Sequence, residues 1–304
     1  MPLSIHWIDA FTQVPFAGNP AVVVPQAEGL SGSQMQQIAR EVNCSETAFI
    51  CSATHPEADL MLRWFTPKQE VDLCGHATVA AMHALVNEGQ FNLHKGTTQI
   101  LYLETRSGLI PVTVDYTDTV AWIWMTLPLC EFESVEAAIA QELIQILGLP
   151  NPKRFQHLPV VDSLNHDVLV AIDHLPQLHT LEPDFPQLAR LGHQQHWRGV
   201  CVYTTETVEQ SHAAHSRFFA PQAGILEDPV TGSVSGPLAL YLSRTQQLQG
   251  KVLPQEMNEP GCSELILEQG DCIGRPGRVR IQLTPTQIRL GGQAITVMQG
   301  DLQL

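Results

Sequence analysis

The chain has 304 residues, of which 44% are hydrophobic and 15% charged, enough for one large or two medium domains. Its 16 basic and 31 acidic residues give a net charge of −15, which disfavours nucleic acid and anionic membrane surfaces as partners. The start lacks a signal-peptide pattern, and no apolar run reaches the roughly 18 residues of a membrane helix. Since seven cysteines do not suggest a disulfide framework, we expect a cytoplasmic protein.

The hydrophobic pattern predicts many strands and a few amphipathic helices. In the first half the predicted elements are strands at 4–11, 21–24, 46–51 and 60–65 and a helix at 33–42. A polar stretch at 115–119 is the predicted linker. In the second half they are strands at 120–125, 168–172, 199–204, 279–283, 287–290 and 295–298, and helices at 134–147 and 183–191.

A repeat organises these elements. Arg63-Trp64-Phe65-Thr66-Pro67 recurs half a chain later as Arg217-Phe218-Phe219-Ala220-Pro221. Each copy is followed by a glycine-containing turn and an apolar run, at 75–85 and 232–242. Both runs lack a polar stripe, which is typical of a buried helix.

We therefore expect an α+β fold of two pseudo-symmetric halves, each a curved, mainly antiparallel, barrel-like sheet wrapped around a central helix. The first half is predicted over 1–118, with the last strand, about 292–304, as a candidate to complete it, and the second over 119–291. A functional site is expected in the cleft between the halves.

The two helix starts are candidate anion-binding turns. Gly75-His76 opens the first buried helix and Gly232-Ser233 opens the second. Backbone N–H groups at a helix N-terminus bind carboxylates, and glycine allows close approach. The alternative is that both glycines only make tight turns into packed helices.

Three titratable residues lie near these turns. Glu46 begins an apolar strand, where desolvation is expected to raise its pKa towards that of a general acid/base; the alternative is a surface carboxylate. His76 is expected to stay neutral at the helix start, or only to cap the helix. Asp228 precedes the second helix, and could equally be an ordinary turn aspartate.

Other chemistries receive less support. Cys74 is a candidate thiolate, but its counterpart in the repeat is Thr231, which argues against a two-thiol racemase. The pairs His193/His196 and His212/His215 have no convincing ligand partner and are interpreted as surface residues, so no metal is expected. Motifs for nicotinamide, flavin or nucleoside-triphosphate binding are absent.

At several ordered motifs the chain resembles the phenazine-biosynthesis PhzF-like family of isomerases. The motifs are those at 9–12, 16–21, 43–49, 63–67, 73–78 and 227–233. The resemblance covers nearly the whole chain. It implies the diaminopimelate-epimerase-like fold, a homodimer, and neither cofactor nor metal.

The resemblance also implies roles for individual residues. Glu46 corresponds to the glutamate that shuttles the proton, and His76 and Asp228 to residues that assist transfer or bind the substrate. Gly75-His76 and Gly232-Ser233 correspond to turns that contact the substrate carboxylate. Asn19, in the motif at 16–21, is also expected to bind the substrate.

Three hypotheses remain open at this point. The leading one is a cofactor-independent isomerase that shifts a proton on a small carboxylate-bearing substrate by general acid/base catalysis. The second is an amino-acid racemase or epimerase on the same fold, and the third is a non-catalytic scaffold for small ligands or proteins.

Overall fold

The computed structural model describes residues 2–149, 158–248, 250–252 and 262–303. The chain forms two compact units, Met1–Thr126 with Gly291–Leu304, and Leu127–Leu290. The first unit therefore includes 119–126, which the sequence analysis assigned to the second half. None of the helices in the described ranges has the length and apolar character needed to span a bilayer.

The elements follow one another in a similar order in both units. From the N-terminus they are β1 (Pro2–Ala10), β2 (Asn19–Val24), α1 (Gly32–Val42), β3 (Glu46–Cys51), β4 (Leu60–Phe65), β5 (Glu70–Val71), α2 (Gly75–Asn87), β6 (Thr97–Thr105), β7 (Gly108–Tyr116) and β8 (Trp122–Pro128). They continue with β9 (Phe132–Ser134), α3 (Ala137–Ile146), β10 (Val160–Asp162), β11 (Asp167–Ala171), α4 (Leu175–His179), α5 (Phe185–Gln195), β12 (Gly199–Thr204), β13 (Ala214–Ala220), β14 (Ile225–Asp228), α6 (Gly232–Arg244), β15 (Ser263–Gln269), β16 (Gly277–Leu283), β17 (Gln287–Gly292) and β18 (Ala294–Gln303). Short 3₁₀ turns lie at Gln90–Asn92, Pro221–Ala223 and Asp271–Ile273.

The helix starts follow from local capping. Ser31 caps α1 in a capping box with Gln34, and Met35 and Ile38 face the core, which confirms the helix predicted at 33–42. Asp184 caps α5 by accepting a hydrogen bond from the Gln187 backbone N–H. The helix predicted to begin at 134 begins later, because β9 extends through Ser134 and pairs with Val160.

The predicted buried helices are confirmed. In α2 every residue from His76 to Val86 is buried, and the helix packs against β1, β2 and β3. In α6 the buried stretch Val234–Leu242 packs against β15 and β16. A helix that is buried all round needs strands on several sides, which explains why both runs lack a polar face.

Both units use the same strand connections. In the first, β2 and β3 are parallel, β3 and β4 antiparallel, β4 and β6 parallel, and β6 and β7 antiparallel. In the second, β11 and β12 are parallel, β12 and β13 antiparallel, β13 and β15 parallel, and β15 and β16 antiparallel. The duplicated, sheet-dominated α+β fold predicted from the repeat is confirmed.

The recurring pentapeptide has a physical role in each unit. Arg63 on β4 makes two hydrogen bonds to Glu70, of 2.7 and 2.9 Å, and its guanidinium lies 5.1 Å from the Phe65 ring centroid. Arg217 on β13 makes the same two bonds to Glu227, of 2.9 and 2.7 Å, and also lies 5.1 Å from a phenylalanine ring. In each unit the arginine therefore links its own strand to the following strand, β4 to β5 and β13 to β14, through a charged pair of hydrogen bonds.

Two sequence interpretations need correction. The hairpin β6–β7 was missed, because its outward residues Ile100, Tyr102 and Leu109 are hydrophobic yet exposed and blur the alternation. His212 and His215 were interpreted as surface residues, but both are buried and their Nδ1 atoms lie 2.8 and 2.9 Å from the Glu268 carboxylate. His193 and His196 are exposed, as expected.

The two arginines offer a matched test of burial. Arg217 also donates to the backbone oxygens of Leu178 and Leu181, and its side chain is 9% exposed against 27% for Arg63. Arg217→Ala should lower the free energy of unfolding by about 3–5 kcal/mol, because it leaves a buried carboxylate unpaired. Arg63→Ala should cost no more than about 2 kcal/mol. Urea unfolding of both variants checks this, and equal losses would contradict it.

Candidate active site

Glu46 and His76 meet in the first unit. Glu46 is the first residue of β3, where it pairs in register with Ala21 of the parallel strand β2. His76 lies in the first turn of α2. The Nε2 atom of His76 is 3.2 Å from Oε2 of Glu46, and the side chains are 9% and 12% exposed. The strand start and the helix start therefore place an acid and an imidazole in contact in a nearly water-free environment.

The contact sets both protonation states. Burial alone would raise the pKa of Glu46, but the hydrogen bond and charge of His76 outweigh it and lower that pKa below 4.5. Burial alone would lower the pKa of His76, but its hydrogen bonds to Cys74 and Glu46 and the charge of Glu46 outweigh burial and hold that pKa well above its ordinary value. At neutral pH the pair is carboxylate and imidazolium. The expectations of a raised pKa for Glu46 and a neutral His76 were wrong, because each considered its residue without the other.

The neighbouring thiols are not anions. Burial raises the pKa of Cys74, whose Sγ lies 3.6 Å from Nδ1 of His76, and burial likewise raises the pKa of Cys44. Both therefore remain thiols at neutral pH, and the Glu46 carboxylate is the anion that pairs with His76. Ser45 adds a polar contact, its Oγ 3.4 Å from His76 Nε2.

Asn19 and Gly75 lie at the same end of the unit. Asn19 is the fully buried first residue of β2, two positions before the partner of Glu46 in that strand. A side chain built on Gly75 would meet only Met125, at 3.6 Å, so packing does not require glycine there. The Cys74 side chain makes no capping hydrogen bond to α2. The first N–H groups of a helix lack intrahelical partners, so this start is chemically suited to an anion.

The second unit fixes Asp228 by a different network. Asp228 ends β14, and its Oδ2 accepts a hydrogen bond of 2.5 Å from the Thr231 hydroxyl. The Gln269 side chain joins the two segments: its Nε2 donates to the Asp228 backbone oxygen, and its Oε1 accepts from the Thr231 backbone N–H. Thr231 is the N-cap residue of α6, and Cys74 is the N-cap residue of α2. The two residues that the repeat aligns therefore occupy equivalent structural positions.

Ser233 belongs to a charged cluster in the same unit. Its hydroxyl accepts a 2.9 Å hydrogen bond from Arg198, and its backbone oxygen accepts one of 3.0 Å from Asn165. Arg198 also donates two hydrogen bonds to the Asp167 carboxylate, from Nε and Nη2. Burial raises the pKa of Asp167 to about 6 despite that arginine. Gly232, beside Ser233, is buried at the helix start.

Sequence reasoning therefore found the residues of each turn but not all of their partners. Within the first unit the structure brings Glu46 and His76 together, and within the second it joins Asp228 to Thr231. Gln269 and Arg198 were missed, because they lie on distant elements and no local motif marks them. Ser45 could have been found from the sequence, because it directly precedes Glu46 in the motif at 43–49.

The first-unit cluster also has atoms of metal-ligand type. One ligand atom each from Glu46, Cys74 and His76 lies within 4.8 Å of the others. From the sequence, neither a metal nor a cofactor is expected to take part in the reaction, and this stays a prediction.

Comparison with known proteins gives a consistent result. The family model described as phenazine biosynthesis-like protein matches residues 8–300. An uncharacterised isomerase of Pseudomonas aeruginosa is 36% identical over the full length of both chains. Another, of Clostridium acetobutylicum, is 32% identical and covers 99% of this chain and 98% of its own.

Solved structures agree with the sequence matches. A PhzF-family phenazine biosynthesis protein of Bacillus anthracis superimposes with a TM-score of 0.86 at 29% identity, over the full length of both chains. A probable proline racemase of Agrobacterium radiobacter has a TM-score of 0.62 at 12% identity, covering 99% of this chain and 93% of its own, and shares the fold. The chain belongs to the PhzF-like family of phenazine biosynthesis-like proteins and is an enzyme of the isomerase class.

Proposed function

We propose that this isomerase shifts a proton within a small carboxylate-bearing molecule without a cofactor, using Glu46 as the proton-transferring group. The observation that carries the proposal is the Glu46–His76 contact of 3.2 Å. It pairs a carboxylate that is ready to accept a proton with an imidazolium that is ready to donate one. General acid/base catalysis needs both forms at the working pH.

In the first step Glu46 takes a proton from an acidified C–H of the substrate. The electron pair stays on the substrate as an enolate-like anion, and His76 stabilises that charge or donates its proton to the oxygen that carries it. In the second step Glu46 returns the proton to a different carbon and His76 recovers its own. The product is an isomer, and the enzyme returns to its starting protonation state.

The burial of the pair supports this sequence of steps. Desolvation is the largest single influence on the pKa of both residues, and in each case it opposes the charged form. When Glu46 gains a proton and His76 gives one up, both become neutral. The intermediate is therefore stabilised by the same dry environment that makes the resting ion pair costly.

The substrate carboxylate is assigned to the start of α2, where Gly75 and His76 offer backbone N–H groups. Asn19, in the same unit, is assigned to substrate positioning. Roles of Gly232, Ser233 and Asp228 in substrate binding stay predictions from the family resemblance. A small carboxylate as substrate and a homodimer as the assembly stay predictions from the family resemblance.

The direct test is proton exchange. Candidate carboxylate substrates incubated with the enzyme in deuterated water should gain deuterium, as followed by NMR. Glu46→Gln should lower the exchange rate by about 10²–10⁴, because the amide cannot carry the proton. Glu41→Gln, at an exposed position on α1, should exchange like the parent enzyme. An unchanged rate in Glu46→Gln would remove the assignment of Glu46.

The pKa shifts predict a broad pH optimum. Activity should fall on the acidic side only below the ordinary pKa of a glutamate, as Glu46 is protonated, and on the basic side only well above the ordinary pKa of a histidine, as His76 loses its proton. In His76→Gln the contact that lowers the pKa of Glu46 is lost while burial remains. The acidic limb should therefore move to higher pH in the pH–rate profile. An identical acidic limb in both proteins would show that His76 does not set the state of Glu46.

The racemase alternative is tested at Cys74. Its raised pKa and the threonine at the equivalent position of α6 both argue against thiol catalysis. Cys74→Ala should therefore retain deuterium exchange within about threefold of the parent rate, well short of the loss typical of a missing catalytic base. Loss of exchange in Cys74→Ala combined with full activity in Glu46→Gln would instead favour the racemase.

A further inference from the structure

A buried histidine in the second unit has one ring nitrogen without a partner. His215 lies on β13 and is fully buried. Its Nδ1 is 2.9 Å from Oε2 of Glu268, but its Nε2 makes no hydrogen bond. The closest acidic atom to Nε2, Oδ2 of Asp271, is 3.7 Å away, beyond hydrogen-bonding distance. An unsatisfied buried polar atom typically costs about 1–3 kcal/mol, so its presence requires an explanation.

The contacts of Glu268 fix the tautomer of His215. The Glu268 carboxylate accepts hydrogen bonds from the backbone N–H groups of Val208 and Glu209, at 2.8 and 2.9 Å, and lies 2.8 Å from Nδ1 of His212. A carboxylate can only accept, so the proton of neutral His215 is on Nδ1. The Nε2 lone pair is then directed away from Glu268 and is available to a ligand.

Two further residues with donor atoms lie near His215. His179 is the last residue of α4, and Cys272 lies in the 3₁₀ turn Asp271–Ile273. One ligand atom from each of His179, His215 and Cys272 lies within 4.8 Å of the others, and the two imidazole rings are 5.6 Å apart. Tetrahedral zinc with nitrogen and sulfur ligands holds its donor atoms about 3.5 Å apart. His179 is exposed at the end of a five-residue helix, and the proposed coordination needs its ring to lie closer to the other two donors.

The surrounding charges suit a cation. Glu268 is buried and Asp271 is mostly buried, and Arg278 pairs with Asp271 at 2.9 Å. Burial raises the pKa of Cys272 to about 11, so a bound cation would have to displace the thiol proton. The charge of Arg217 opposes this rise only in part, and Arg217 is itself paired with Glu227 by two hydrogen bonds. A carboxylate that holds the far nitrogen of a histidine ligand is also the usual support of zinc-binding histidines.

We propose that His179, His215 and Cys272 form a binding site for one zinc ion or a similar borderline divalent cation. The site is separate from the Glu46–His76 pair and lies within the second unit. On binding, Cys272 releases its proton to water and the ion joins α4, β13 and the turn after β15. With three protein ligands, the fourth position is left to water.

Zinc binding by the full-length, tag-free protein tests the proposal. After treatment with a chelator and dialysis, titration with zinc should show one ion bound per chain, as measured by equilibrium dialysis and elemental analysis. His179→Ala and Cys272→Ser should each weaken binding by at least about tenfold. The matched controls are His193→Ala, an exposed histidine, and Cys262→Ala, a half-buried cysteine, and both should bind as the parent does. Circular dichroism checks that each variant folds.

Cobalt identifies the ligands, because a cysteine bound to cobalt gives a sulfur-to-metal absorption band in the near ultraviolet. The band should be present in the parent and in Glu46→Gln and absent in Cys272→Ser. Binding that is lost in Glu46→Gln but retained in His179→Ala would put the ion at the catalytic cluster and overturn the proposal. Absence of stoichiometric binding by the parent would overturn it as well. Neither result depends on whether the proposed proton transfer is correct.

Discussion

Burial disfavours a charge on both Glu46 and His76, and the contact between their side chains keeps both charged. Everything proposed for the chemistry depends on this contact. In the proposed reaction it supplies a base and an acid together, and the buried environment favours a neutral intermediate. It also assigns the thiol of Cys74 to a neighbouring rather than a catalytic position, since burial keeps that thiol protonated.

The duplication supplies a scaffold, but the two copies have different chemical roles. Both units have the same strand connections, an equivalent arginine–glutamate ion pair, and a helix of equal length after that pair. The helix starts differ: Cys74 contacts His76, whereas Thr231 holds Asp228. The duplicated fold therefore carries different titratable groups in its two units.

The sequence was most reliable where the signal was local and least reliable where a partner came from far along the chain. The buried helices α2 and α6 were predicted because an apolar run without a polar face is visible in the residues themselves. The protonation states of Glu46 and His76 were misjudged, because the two residues are 30 positions apart and either one alone suggests the opposite shift. His212 and His215 were assigned to the surface because Glu268, which lies beside both, is on β15, more than 50 residues further on.

By itself the sequence determined the family, the internal duplication, and the residues at the start of each buried helix. These follow from composition, periodicity and short motifs, which are properties of neighbouring residues. Only the tertiary structure decided which side chains are in contact, which of them carry protons, and that His215 has a free nitrogen beside His179 and Cys272. The physical reason is that pKa and hydrogen-bond satisfaction depend on distance and burial, which are created when strands distant in the chain pair with one another.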